Sequence, residues 1–468
     1  MQPAAGKLRE HRLTFQKTKG KIHARAVSGR FNTWRWAMVW LTQIVFYGAC
    51  WLQWPGADGP RQALWLDIAH EKFHLFGLVL WPQDALLAVF ALVFAATGLF
   101  YVTALSGRLF CGFACPQTIY TMIFTWIEAR VEGDHLARMK LDSQPAGPRK
   151  LALKLVKHAL WAAVAAWTAI TFVGYFTPIR ELLPAIGAFA TGPWESFWLL
   201  FYALFTYVQA GLAREAVCQH MCPYSRFQGV MFDPWTKNVA YDAARGEPRR
   251  PGRSREAGAG DCIDCGICVQ VCPTGIDIRD GLQYQCINCG LCIDACDQVM
   301  ARTGMPAGLI RFAPEAAGTP GGAAPGPAAR PRLLLYLALL VVSCALAAWT
   351  LARRPPFLVD VLRDRGALSR EGSDGRIENA YTVKLVNLGD ARRDFVIDAS
   401  GQPGLDVVGE RRFSVDAGSI RPVALTLAMP ADGGPTGALP IRLHIRSRQA
   451  PAGEIVETSR FILPAATR

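Results

Sequence analysis

Residues 261–273 read DCIDCGICVQVCP, and residues 286–297 read CINCGLCIDACD. Each stretch carries four cysteines spaced C-x2-C-x2-C-x3-C, the spacing that grips iron–sulfur cubanes in bacterial ferredoxins. Three thiolates two residues apart wrap three corners of one cubane. The fourth, in the turn beyond, reaches the other. The spacing therefore assigns Cys262, Cys265, Cys268 and Cys296 to one [4Fe–4S] cluster, and Cys286, Cys289, Cys292 and Cys272 to a second. Gly266 and Gly290 let the backbone pass close to inorganic sulfide, whose charge needs amide donors. Structural zinc sites use cysteine pairs, not triplets with a crossed fourth ligand. Residues 261–313 are expected to form an α+β dicluster domain of bacterial ferredoxin type.

The rest of the chain is of a different kind. Among 468 residues, 51% are hydrophobic and only 19% charged. Five uncharged stretches approach the ~20 residues that cross a bilayer: 36–55, 85–105, 158–177, 196–213 and 333–352. Residues 1–33 hold eight Lys/Arg, the 56–84 loop two, the 106–157 loop eight and the 178–195 loop one. By the positive-inside rule the N-terminus is cytoplasmic, and five crossings place the C-terminus outside. The net charge of +13 follows from this sorting, so no nucleic-acid partner is implied. The expectation is a multi-pass protein of a bacterial inner membrane in contact with lipid. All 14 cysteines lie at or before Cys344, so the external tail has none. Reducing cytoplasm disfavours permanent disulfides and favours metal or redox work for these thiols.

Two membrane runs leave through one pattern, CGFACP at 111–116 and CQHMCP at 218–223. A residue before proline avoids the α region, so Cys115 and Cys222 should precede helices that start at Pro116 and Pro223. A helix N-terminus, with Arg108, Arg214 and Arg226 nearby, is expected to lower the thiol pKa. Soft thiolates and thioethers suit Cu(I), and Cys218, His220, Met221 and Cys222 offer four potential copper ligands in five residues. Cys111, Cys115, Cys218 and Cys222 could bind copper together, cycle through two transient disulfides, hold a further cluster, or merely pack. HEKFH at 70–74 matches a zinc-protease pattern but lies in a short external loop. His70 and His74 read there as surface side chains, with external copper contact as the alternative. Cys50 and Cys344 read as small apolar packers within membrane helices.

From about residue 355 the chain changes character again. Seven short alternating runs, from AYTVKLVNLG through ETSRFILP, are punctuated by Gly, Pro and Asp. They suggest an immunoglobulin-like β-sandwich without its disulfide. The organisation is then a multi-domain integral membrane protein with a five-helix transmembrane domain. A basic, mobile cytoplasmic arm (1–33) leads into a four-helix membrane domain carrying both CxxxCP motifs (34–243). A linker (244–260), the ferredoxin domain (261–313) and a second linker (314–331) follow. A fifth transmembrane helix (332–354) leads to a periplasmic immunoglobulin-like domain (355–468).

RLFCGFACPQT, QHMCPYSRFQG, CVQVCPTGIDIRDGLQ, CIDACDQVM and NAYTVKLVN together resemble the CcoG/FixG/RdxA family, accessory proteins of the cbb(3)-type cytochrome c oxidase. The resemblance implies five membrane helices, a cytoplasmic dicluster ferredoxin and a periplasmic immunoglobulin-like domain. It implies reduction of Cu(II) to Cu(I) for oxidase assembly, with copper as substrate or transient ligand at Cys111, Cys115, Cys218 and Cys222. The implied partners are an electron donor (a cytoplasmic reductant or a quinol), a copper chaperone or copper-exporting ATPase, and oxidase subunits; a homodimer is compatible. Two alternatives stay open: a quinol-linked electron donor to a periplasmic reductase, and a non-enzymatic assembly scaffold.

Overall fold

The computed structural model describes residues 21–56, 59–249, 259–314, 330–364, 369–372, 374–389, 391–431, 435–447, 449 and 453–464. The chain opens with α1 (Arg30–Ala49) and five short strands, β1 (Gln53–Gly56), β2 (Gly59–Gln62), β3 (Leu64–Asp67), β4 (Lys72–Leu75) and β5 (Leu78–Leu80). Helices α2 (Ala85–Ser106), α3 (Leu109–Phe113), α4 (Pro116–Val131), α5 (His135–Ser143), α6 (Pro148–Val173), α7 (Ile179–Gly187), α8 (Pro193–Thr206) and α9 (Pro223–Met231) follow. Next come β6 (Lys237–Tyr241), α10 (Ala243–Gly246), α11 (Ile267–Gln270), α12 (Leu291–Thr303), β7 (Ile310–Pro314) and α13 (Pro331–Ala352). The described residues form two compact units, one from residues up to 51 with 88–347, the other from 52–87 with 348–468.

Four helices among the described residues are long and apolar enough to cross a membrane: Pro82–Ser106, Pro148–Val173, Pro193–Ala213 and Pro331–Ala352. The 36–55 stretch does not join them. Its helix, α1, starts earlier, carries Arg30, Asn32, Arg35 and Gln43, and stops at Ala49. Pro148 and Pro193 occupy first helical turns, where a missing N–H costs nothing. Glu195 caps α8 by accepting from the Gly192 N–H at 2.8 Å. Beyond α8 the chain widens into a π-helical segment, Tyr207–Ala213. There Gly211 lies against Trp161 of α6; a Cβ at this position would stand 2.9 Å from the indole. Trp161 in turn stacks on Phe124 of α4 at 5.2 Å and donates to its carbonyl at 3.1 Å. Three helices are thereby locked at one level.

The cysteine-rich block is larger than its spacing indicates. β7 pairs antiparallel with β6, which lies before the 244–260 linker, so the two ends of the block are stitched together. Helices α11 and α12 start from Gly266 (φ 64°) and Gly290 (φ 73°). Two residues before each, Asp264 (φ 51°) and Asn288 (φ 52°) are also left-handed, a conformation short polar side chains tolerate. The IDCG and INCG turns thus repeat one backbone shape. The described part of the basic arm is tied to the helices and the cysteine block by hydrogen bonds. The Arg25 N–H donates to Gln270 O at 2.8 Å, and Arg138 Nη2 donates to Ala24 O at 2.8 Å. Asp294 of α12 accepts from the N–H groups of Phe31 and Asn32 at 3.2 and 2.8 Å, capping α1 across 263 positions of sequence. Residues 1–20 lie outside the described residues, as do 250–258 and 315–329 of the two linkers.

The second unit contains all seven expected strands and two earlier ones. Beyond β1 to β5, its strands are β8 (Phe357–Arg363), β9 (Arg370–Glu371), β10 (Arg376–Asn387), β11 (Arg393–Ser400), β12 (Asp406–Val408), β13 (Arg412–Val415), β14 (Ile420–Pro430), β15 (Gly437–Ser447) and β16 (Gly453–Leu463). One sheet runs β12-β14-β10-β8 with β9 on β10, the other β13-β11-β15-β16. Alternate residues of β10 and β15 point inward, as a two-layer sandwich requires. Asn379 of β10 clasps the backbone of Ile462 in the other sheet twice, at 2.9 Å each. The loop between the first two long helices is not a plain connection. Its strands β3-β4-β5 form a sheet, and Val79 and Trp81 pack on Val386 and Leu388. His74 is buried on β4, stacked on Trp65 at 4.9 Å, and burial lowers its pKa to about 4. His70 bonds Asp67 at 2.7 Å instead. HEKFH therefore forms no helical metal pair.

Candidate redox site

The two CxxxCP motifs fold alike. Cys115 (φ −64°, ψ 128°) and Cys222 (φ −78°, ψ 112°) are extended residues that precede α4 and α9, with Pro116 and Pro223 in the first turn. The Thr118 hydroxyl donates to Cys111 O at 2.6 Å, and the Ser225 hydroxyl donates to Cys222 O at 2.7 Å. Gln117 joins the two motifs: its Nε2 donates to Gln209 O at 2.9 Å and Arg214 O at 3.0 Å. Gln228 of α9 reaches back with Nε2 to Cys111 Sγ at 3.4 Å. The four thiols consequently lie within one another's electrostatic field.

That field acts against the expected thiolate. Burial, then the neighbouring thiols Cys115 and Cys111, pushes Cys218 up to about 12. Burial also raises Cys115, although the N–H groups of Thr118 and Gln117 oppose it. The helix N-terminus contributes only fractions of what desolvation costs an anion here. Thiols placed like this ionise when a cation takes the proton's place. His220 and Met221 are not gathered with them; both side chains are exposed. Among the described residues, no three His, Cys, Asp or Glu side chains are grouped as one metal ion requires.

The ferredoxin-type block presses on the first motif. Cys111 shares one apolar cluster with Val271, Ile287, Cys289, Leu291 and Ala295, and Cys292 packs on it. Gly112 has no room for a side chain: a Cβ would meet Ile287 O at 2.7 Å and Cys289 Cα at 3.0 Å. Arg108 is buried and donates to Tyr284 O at 2.6 Å, while the Tyr284 hydroxyl bonds Ser225 at 2.6 Å. Arg35 is also buried, donates to Gly112 O at 3.0 Å, and lies within the fields of Cys289 and Cys272.

Within the block, Cys262, Cys265, Cys268 and Cys296 line one small apolar cavity. Cys272, Cys286, Cys289 and Cys292 line another, and Cys268 touches both. All fourteen thiols are free. Burial, then the fields of nearby thiols, pushes Cys286 and Cys296 up to about 12. Each set of four encloses a space and does not converge on a point. Thiolates bound to four different irons of a cubane stand farther apart than those around one ion, so the donor set fits [4Fe–4S] groups.

An ion-pair network holds the second motif in place. Glu128 of α4 is fully buried, 2.6 Å from Arg214, 3.2 Å from Arg138 and 3.5 Å from Lys157. Burial would raise its carboxyl, but the cations, Arg214 foremost, hold it at about 2. Arg214 takes an unusual left-handed backbone (φ 42°) just before CQHMCP. Gln117, Gln228 and Asp294 lie within the quoted motif stretches, and Glu128 and Arg35 outside them, but the sequence assigns none of the five a role. Only Arg35, a charge at the edge of an apolar run, leaves a signal there.

Comparison with known proteins agrees with this geometry. A model described as a 4Fe-4S dicluster domain matches residues 213–315, and a 4Fe-4S binding domain matches residues 87–132, which include Cys111 and Cys115. The IG-like fold at the C-terminus of FixG matches residues 347–464. "Nitrogen fixation protein FixG" of Rhizobium meliloti is 35% identical, with 88% of this chain and 86% of that one covered. "Protein RdxA" of Cereibacter sphaeroides is 37% identical, covering 92% and 94%. "Protein RdxB" of the same organism is 38% identical, covering 82% and 83%. The chain, an iron–sulfur protein of electron transfer with helices fit for a membrane, belongs to the FixG/RdxA family.

Proposed function

We propose that this protein is a membrane-bound reductase that converts Cu(II) to Cu(I) at the thiols of its two CxxxCP motifs, for copper insertion into a cbb(3)-type oxidase. One observation carries the reading: Cys111 and Gly112 pack directly on the loop that bears Cys289. Cys262, Cys265, Cys268 and Cys296 would hold one [4Fe–4S] group, and Cys272, Cys286, Cys289 and Cys292 the other. Such groups, when bound, supply storage and transfer of single electrons. The chain's own residues do the rest. Gly112 removes the bulk that would separate the first motif from the Cys289 loop. Arg108 and Arg35 place positive charge where an added electron comes to rest. Gln117 and Glu128 keep Cys218 and Cys222 facing Cys111 and Cys115.

At the thiols, Cu(II) takes one electron and becomes Cu(I), whose preference for sulfur and low coordination number suits transfer to a chaperone or exporting ATPase. Loop charge supports a cytoplasmic site and a periplasmic sandwich, with α1 as a fifth crossing. Replacing Cys111, Cys115, Cys218 and Cys222 together by alanine should leave the iron–sulfur absorption intact and abolish copper reduction by the pre-reduced protein. An unchanged rate would reject the site.

A further inference from the structure

A cavity of about 240 Å³ adjoins the thiol site and the Cys289 loop. Trp36, Met122, Trp126, Ile287 and Leu291 make most of its wall apolar, and Cys218 lies in the same wall. Such a cavity, apolar with a few converging polar groups, is the usual form of a small-molecule site. Its polar groups include Arg35, Gln117 and Arg214. Arg35 is buried, and among the described residues no carboxylate lies within ion-pair distance of it. A buried guanidinium of this kind calls for an oxygen acceptor.

We propose that this cavity binds the head group of a membrane quinol, the donor of the electrons spent at the thiol site. The proposal rests on the copper-reducing reading for the destination of those electrons and adds their source. A free Cu(II) ion belongs at the Cys218 edge of the wall and not in the apolar body of the cavity, where Arg35 stands without a carboxylate partner among the described residues. A nucleotide cofactor fits poorly as well: its sugar and phosphates need a polar bed, and this wall is mainly apolar. A quinol matches on three counts. Its ring packs on indole and thioether, its oxygens accept from Arg35, and its tail continues into lipid. Trp36 opens the apolar run of α1 and Trp126 is exposed, a placement typical of indoles at a membrane surface.

The electrons balance simply. A quinol loses two O–H bonds and becomes a quinone, releasing two electrons and two protons. The cysteine-held [4Fe–4S] groups would supply single-electron transfer, and since each Cu(II) takes one electron, one quinol would serve two copper ions. The protons pass to water, with Glu215 in the wall as relay. Arg35, also within the field of Cys289 and Cys272, favours the more negative, reduced form of what those thiolates hold, which brings it within reach of a quinol.

The test uses the full chain in detergent with an azido-substituted short-chain ubiquinone, photolysed and mapped by peptide analysis. Label should fall on the 117–129 or 32–36 stretch and be displaced by unlabelled short-chain ubiquinone. Thr125→Trp, which fills the cavity, should weaken quenching of tryptophan fluorescence by that quinone at least ten-fold while thermal stability stays unchanged. Saturable label elsewhere, or wild-type affinity in the filled variant, overturns the proposal. Dithionite separates the two readings. If it drives copper reduction in a protein that binds no quinone, the quinol site is wrong and the copper reading stands. If quinone labels the cavity but reduced protein leaves Cu(II) untouched, the copper reading fails and the quinol site stands.

Discussion

Replacing Glu128 by glutamine leaves Arg214 and Arg138 in a buried pocket without their shared anion, while Lys157 keeps Glu132 at 3.0 Å. The closest contact, 2.6 Å to Arg214, is worth about 6 kcal/mol of gross attraction at an effective dielectric of about 20. Desolvation takes back much of that. The net survives in the carboxyl's fall from its ordinary 4.5 to about 2, which corresponds to about 3 kcal/mol of folding stability at neutral pH. Breaking one partner out of a buried pair costs about 3–5 kcal/mol, so the two routes agree. Because the folded-state value is depressed, the contribution is complete above pH 4.5 and is lost as pH falls from there through about 2. Denaturant titration of wild type and Glu128→Gln in detergent, followed by tryptophan fluorescence, measures the difference. Trp161 is a suitable reporter, with Lys157 and Arg214 over its ring at 4.8 and 5.4 Å. The expected gap is about 3 kcal/mol at pH 7, closing progressively below pH 4.5. A variant as stable as wild type at pH 7, or a gap that widens on acidification, would refute the reasoning.

Gly112→Ala must push the Cys289 loop away, since the new methyl would lie 2.7 Å from Ile287 O. Overpacking of this kind costs about 1–3 kcal/mol, and thiol alkylation without added metal should show Cys289 more accessible than in wild type. Asp294→Ala removes both acceptors of the α1 N-terminus. The loss of such a cap is worth about 1 kcal/mol, and limited proteolysis should cut the 21–29 segment faster. Arg35→Leu should lower the midpoint potential of the nearer iron–sulfur centre, read by redox titration with EPR; an unchanged potential would remove Arg35 from its role beside Cys289 and Cys272.

What the sequence discloses and what it hides follow from the range of the interactions. The eight ferredoxin-spaced cysteines sit in two local turns, so their spacing alone reports the shape each turn takes, down to Gly266 and Gly290. The seven expected strands of the sandwich are visible because burial alternates with a period of two. Strands β1 to β5 are only three or four residues long, too short for a period to register, and the 56–84 loop reads as a plain connection. The docking of the cysteine block is invisible for another reason. Asp294 meets α1 across 263 positions, and Gly112 meets Ile287 across 175, so neither contact leaves a local pattern.

The thiol pKa values expose the limit most clearly. A cysteine ahead of a helix-starting proline suggests a stabilised thiolate, and the local geometry at Cys115 is as expected. Its surroundings include the remote Cys222, and its burial excludes the water that would solvate an anion. Burial raises Cys115 and Cys218 in consequence. Such thiols stay protonated and quiet until a metal displaces the proton. A site proposed to take up copper gains from that restraint: its thiolates form only when the metal ion arrives.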